Sequence, residues 1–144
     1  GLAHHFPDKA ALLLELIKQR EQQQVTEFEG VHWTEWARSV ERENRANRSL
    51  TQLFAMLSAE AIEVDHPAHE YFVERYRGLR TRFAQFVCTQ RGGTEVTEDD
   101  RTQAQVLIAM WDGLQLQGML DPEVDMEAAF EAAIGLVQRS VVSD

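Results

Sequence analysis

Apolar residues recur along this chain at three- and four-residue intervals, and nowhere do they alternate long enough to make a strand, so the pattern predicts helices throughout. A first helix is expected after Pro7, with Asp8 as its N-cap, and Leu13, Leu16, Ile17 and the stem of Arg20 on one face, fraying toward Gly30. A second should start at Thr34, with Trp36, Ala37 and Val40 inward. It continues through the charged run from Glu41 to Arg48, whose three arginines are offset by Glu41 and Glu43, a pattern read as a solvated face. Ser49 and Gln52 form a capping-box pattern, which places a bend near Asn47 and a third helix with Leu50, Leu53, Phe54, Leu57 and Ala61 aligned. Asp65 and Pro67 mark the next boundary. Beyond it Phe72, Tyr76, Leu79, Phe83, Phe86 and Val87 make the clearest stripe, ended by Gly92 and Gly93. Thr97 with Asp100 caps a fifth helix that runs to Asp121 and Pro122, and a sixth should cover about Val124 to Val141. The expected fold is all-α, about six helices joined by short connections.

The fifth helix is apolar on two sides. Ala104, Leu107, Trp111 and Leu114 form one stripe, and Val106, Ala109, Met110, Gly113 and Leu120 another, so both sides must be covered. With few helices in the chain, a second subunit can supply the second cover. The last helix has a wide stripe of Met126, Ala129, Phe130, Ala133, Ile134 and Val137, whose alanines admit another helix closely. Two such helices can pair with their copies as an isologous four-helix interface, with Leu107, Leu114, Met126, Phe130, Ala133 and Val137 as its candidate residues. The same periodicity also fits two central core helices of a single chain.

Size and charge narrow the function. At 144 residues the chain is one domain in length, enough to bury roughly 70% of the surface its unfolded form exposes. One cysteine, Cys88, rules out an internal disulfide framework and a cysteine metal cluster. No apolar run approaches the roughly 20 residues a membrane span needs, and no signal peptide opens the chain, so a cytoplasmic protein with no membrane partner is expected. The formal charge of −10 makes the chain a poor polyanion binder overall, since nucleic-acid affinity comes mainly from lysine and arginine. Any DNA contact needs a basic part elsewhere.

Candidate chemistry is sparse. Glu29 with His32 and Glu63 with His66 repeat the Glu-x-x-His spacing of carboxylate di-iron bundles, which would make a metal-dependent helical enzyme. Gly30 inside the first copy and Pro67 after the second put both at helix ends, where the two ligands cannot project together into a bundle. His66 and His69 share a turn near Glu70, a spacing that suits capping or a solvated surface better than zinc. Cys88 falls in a helix interior with no base beside it, and neither a Gly-x-Ser-x-Gly elbow nor a phosphate loop is present. No enzyme activity, metal or cofactor is expected. The aromatics Trp33, Trp36, Phe54, Phe72, Tyr76, Phe83 and Trp111 fit core packing one by one. Together, with the polar tips of Tyr76 or Gln115, they also fit the lining of an apolar small-molecule cavity. A helical interaction module without a ligand is the remaining class.

Three stretches resemble the TetR family of bacterial transcriptional regulators. GLAHHFPDKAALL is similar to the junction between that family's DNA-recognition helix and its fourth helix; HPAHEYFVERYRGLRTRF is similar to a core helix of its ligand-binding domain; and MWDGLQLQGMLDPEVDMEAAF is similar to the end of its eighth helix, an Asp-Pro turn and its ninth helix. The resemblance implies a homodimeric repressor, less often an activator, that binds operator DNA through an N-terminal helix-turn-helix and a small apolar or aromatic effector through its C-terminal domain. Residues 1–6 would then be the remnant of the DNA-recognition helix and residues 7–144 the effector-binding and dimerisation domain, with most of the reading head missing. His5 and Phe6 match the motif's histidine and phenylalanine, and Lys9 its phosphate-proximal lysine, with His4 as a second DNA-proximal residue. Ala3 replaces a frequent tyrosine, and Gly118 a frequent large residue. The implied effector pocket draws on Trp36, Phe54, Phe72, Tyr76, Phe83, Met110, Trp111 and Gln115.

Overall fold

The structure, a computed structural model, describes residues 2–27 and 33–141. Among them are six helices and no strand: α1 (Leu2–Glu27), α2 (Trp33–Ala46), α3 (Arg48–Glu60), α4 (His69–Gln90), α5 (Glu98–Leu120) and α6 (Met126–Val141). They form two compact units, Gly1–Glu74 and Arg75–Asp144.

In the first unit α3 packs against both α1 and α2. α1 is continuous from Leu2, so Asp8 is not its N-cap. Pro7 has no N–H to offer the Ala3 carbonyl, but its fixed φ is that of a helix, and the run passes through it. The buried row on α1 is Ala10, Leu14 and Ile17, while Leu16, expected inside, is exposed with Leu12. Arg20 does turn inward as expected. One of its terminal nitrogens donates to Asn44 Oδ1 at 2.9 Å, and its Nε lies 4.0 Å from Glu43 Oε1. The charged run on α2 is therefore not simply a solvated face: Glu41 is buried and paired with Arg45, and Glu43 and Asn44 take an arginine from α1.

The bend near Asn47 is present, with φ −116° and ψ 50° at that residue. The expected Ser49 box is not, because Asn47 is the N-cap and Ser49 already lies inside α3. Thr51 does the joining: its buried hydroxyl is shared between the carbonyls of Asn44, at 3.1 Å, and Asn47, at 3.2 Å, closing the end of α2 onto the start of α3. Between α3 and α4, His66 and His69 organise the chain. His66 Nδ1 accepts from the Ala68 N–H at 3.1 Å, and His69 Nδ1 donates to the Ala61 carbonyl at 2.8 Å, covering the end of α3. Phe72 is buried with its ring edge-on to Phe54 at 5.3 Å and to Tyr71 at 5.2 Å.

The second unit takes the rest of α4 with α5 and α6, and its core is built by Leu79, Phe83, Val87, Leu107, Phe130 and Ile134. α4 ends as its glycines predict. The Gly93 N–H bonds the Cys88 carbonyl at 2.9 Å, the Gly92 N–H bonds the Thr89 carbonyl at 3.0 Å, and Gly92 is left-handed at φ 73°, which together make a Schellman stop. Gly92→Ala is expected to cost about 1 kcal/mol in urea unfolding, from the Cβ penalty at positive φ. α5 begins on the predicted box, with Thr97 and Asp100 each accepting the other's N–H. α5 packs on α6, whose N-cap is Asp125, accepting from the Ala128 N–H at 3.0 Å. A Cβ at Gly118 would fall on the Met126 thioether, so the glycine makes room for α6.

Candidate functional site

Asp112 is the one charge between Val106 and Leu120, in the middle of α5. The Tyr76 hydroxyl on α4 donates to its Oδ2 at 2.8 Å, and the Arg75 guanidinium lies over the Tyr76 ring at 5.5 Å. Burial raises the Asp112 carboxyl above the ordinary carboxylate range, and the Tyr76 hydrogen bond and Arg75 charge only partly oppose this. The sign follows: a carboxyl raised on folding adds stability when protonated, and that contribution is lost as pH rises from 3.8 through its raised value. Asp112→Asn keeps an acceptor for Tyr76 without the charge, and should raise the urea midpoint at pH 7 while changing it little at pH 3. Asp112 was not among the residues expected to act, although a lone acid in an apolar run is a signal the sequence carries.

The eight candidate pocket residues divide between the units. Trp36, Phe54 and Phe72 belong to the first, and Tyr76, Phe83, Met110, Trp111 and Gln115 to the second. The Trp36 side chain lies outside the described residues. Phe72 and Phe83 are buried as core. In the second unit Trp111 is edge-on to Phe130 at 4.8 Å, with Met110 and Gln115 half-buried alongside on α5. A groove of about 540 Å³ does open between α4 and α5, but it is lined by other residues, among them Arg77, Arg80, Arg101 and Glu98.

Of the candidate interface residues, Leu107, Phe130 and Ala133 are buried within the single chain, Leu114 and Met126 are half-buried, and the Val137 side chain lies outside the described residues. Of the second stripe of α5, Val106 is 48% exposed and Leu120 77%, with Ala109 and Gly113 exposed between them and Met110 half-buried; Leu116, outside that stripe, is 55% exposed. Lys9 is exposed on α1, and the side chains of His4 and His5 lie outside the described residues. So does the first Glu-x-x-His copy, Glu29 and His32. The second falls in the connection before α4, where His66 bonds the Ala68 N–H and lies 3.5 Å from Glu60 rather than joining Glu63. Among the described residues no three of His, Cys, Asp or Glu come together to hold a metal ion, and no helix is long and apolar enough to cross a membrane.

Comparison with protein families places this helical domain among regulators. A family model described as "BetI-type transcriptional repressor, C-terminal" matches residues 33–141. The chain belongs to this family, the C-terminal domain of a TetR-type transcriptional regulator. Neither the curated proteins nor the solved structures gave a match. The match includes α2 to α6, and so contains the second and third stretches on which the resemblance was drawn.

Proposed function

We propose that residues 7–144 are the effector-binding and dimerisation domain of a repressor, with residues 1–6 leading from its DNA-reading helix-turn-helix. The observation that carries this reading is the uncovered face of α5. Val106, Ala109, Gly113, Leu116 and Leu120 follow a repeating three-four spacing, the seam of helices that pack on one another in pairs. On α6, Ala132 and Leu136 are exposed as well. Paired with the same two helices of a second chain about a two-fold axis, these faces make an isologous four-helix bundle. Half-buried Leu114 and Met126 lie at its margin, and buried Leu107, Phe130 and Ala133 form the layer beneath.

The effector in this reading is a small apolar or aromatic molecule held by aromatics such as Trp111 and Tyr76, and the domain does no covalent chemistry. Lys9, with His4 and His5, lies nearest the operator DNA. By thermodynamic linkage between the two sites, an effector that lowers operator affinity must lose the same factor in its own affinity when DNA is bound. Light scattering after size exclusion tests the reading: the expected mass is twice the 16.5 kDa of one chain, and a monomer at micromolar concentration would reject it. Thermal-shift screening with aromatic and long-chain apolar compounds tests the effector class. A compound at a hundred times its Kd adds about 2.7 kcal/mol of stability.

A further inference from the structure

We infer that α4 carries a hinge at Gly78, latched in its continuous form by the hydrogen bond from Tyr76 to Asp112. This goes beyond the effector and dimer readings above and depends on neither. Gly78 is the tenth of the 22 residues of α4, too far from either end to serve as a cap. Glycine inside a helix weakens it relative to alanine, so its presence needs a reason. Three usual reasons are absent. The backbone does not require it, since the positive-φ glycine among the described residues is Gly92. Packing does not require it, since a Cβ built on Gly78 meets nothing within 4 Å, whereas one on Gly118 would meet Met126. An apolar seam does not require it, because its neighbours on that face, Glu74, Arg77, Thr81 and Arg82, are polar and exposed. What remains is the weakening of the helix itself.

The same turn is weak on two further counts. The Thr81 hydroxyl donates to the Arg77 carbonyl at 3.2 Å. That carbonyl is also the helical acceptor of the Thr81 N–H, and such sharing loosens a helix and favours a bend. In addition, none of the six residues between buried Phe72 and buried Leu79 is itself buried. Segments with few buried side chains and solvent-facing backbone bonds open first. On either side the helix is anchored: Phe72 against Phe54 in the first unit, and Leu79, Phe83 and Val87 in the core of the second. The boundary between the two units falls inside α4, at Glu74 and Arg75. Tyr76 precedes Gly78, while its acceptor Asp112 belongs to α5. Their bond, 2.8 Å long, therefore braces the weak turn from outside the helix, and a hydrogen bond to a carboxylate is of the stronger kind. α4 opens at Gly78 only when Tyr76 leaves Asp112.

Amide hydrogen exchange and NMR relaxation dispersion on the whole chain test the hinge. The amides of residues 78–82, whose helical bonds cross Gly78, should be protected roughly tenfold less than those of residues 84–88, and should alone in α4 show microsecond-to-millisecond exchange. Gly78→Ala should slow their exchange roughly fivefold and remove the dispersion. Thr81→Val, which deletes the hydroxyl and keeps the shape, should slow it by less. Tyr76→Phe should release the latch and speed exchange at residues 78–82 roughly fivefold, leaving residues 84–88 unchanged. The inference is overturned if residues 78–82 are as protected as residues 84–88 in the unaltered chain, a comparison that stands even if no variant folds. It is overturned as well if Gly78→Ala slows exchange evenly along α4, or if Tyr76→Phe leaves the 78–82 amides as they were.

Discussion

Gly113→Glu is expected to break the proposed dimer, halving the mass found by light scattering to 16.5 kDa. Gly113 sits within α5 and is exposed, and a Cβ built on it meets nothing within 4 Å in the single chain. Glycine inside a helix costs about 1 kcal/mol relative to alanine, and nothing in the single chain offsets that cost. In the proposed dimer the close approach of a second helix does. Glutamate at this position therefore leaves the monomer's helix as strong or stronger. Across a two-fold axis it enters twice, placing two like charges in an apolar seam where each costs several kcal/mol to desolvate. A stable interface of about 1,600 Å² does not withstand that at its centre. Gly113→Ala, with only a methyl added, should weaken dimerisation less while raising helix stability. A Gly113→Glu chain that stays dimeric would show that α5 does not form the interface.

Asp100→Asn should destabilise the second unit by about 1–2 kcal/mol at pH 7, since it removes the charge of a buried carboxylate whose arginine partner is exposed, and weakens a helix cap. Asp100 is 1% exposed. Arg91 donates to both its oxygens at 2.8 Å, and the Thr97 N–H adds a third bond at 2.7 Å. The Arg91 hydrogen bonds, followed by those from Thr97, hold the carboxyl well below the ordinary carboxylate range, against the opposing effect of burial. Arg91 also donates to the Glu95 carbonyl at 2.7 Å, and Cys88 Sγ donates there at 3.2 Å, so one cluster ties the end of α4, the loop and the start of α5. A carboxyl lowered on folding contributes its full stability above 3.8, its ordinary value, and loses it as pH falls through the depressed one. Urea midpoints by circular dichroism should therefore fall for the unaltered chain below pH 4, and should fall less for Asp100→Asn. A variant with unchanged midpoint at pH 7 would show that the bracket is not a support of the unit. Asp112 runs the other way, so comparing the two substitutions at pH 7 and pH 3 separates a carboxylate that folding favours from one that folding disfavours.

Local chemistry made much of this legible in advance. Gly92 and Gly93 had to end a helix, because only glycine takes the left-handed position without a penalty. Thr97 and Asp100 had to begin one, because three residues is the distance over which a side chain reaches an orphaned N–H. The double stripe of α5 marked two apolar sides, of which the structure buries one with Ala104 and Leu107 and leaves the other exposed at Val106 and Leu120. Each of these signals is complete within a few residues, so the chain alone determined the end of α4, the start of α5 and the all-α class, and its motifs pointed to the regulator family, while the starts of α1 and α3 fell elsewhere than their local patterns placed them.

What joins distant segments was decided by the tertiary structure. α1 carries more apolar rows than it can bury, and only packing against α3 selects Ala10, Leu14 and Ile17 over Leu12 and Leu16. Tyr76 and Asp112 are 36 residues apart, so the pair exists only once α4 and α5 are placed together. Arg91 reads as one more surface cation until the loop folds back and puts Asp100 against it. The arginines of α4 and the polar row of α5 look like two solvated faces taken separately, and line one groove only when the two helices are placed together. The periodicity of a helix says which residues share a face; which face is covered, and by what, depends on the shape and charge of the neighbour.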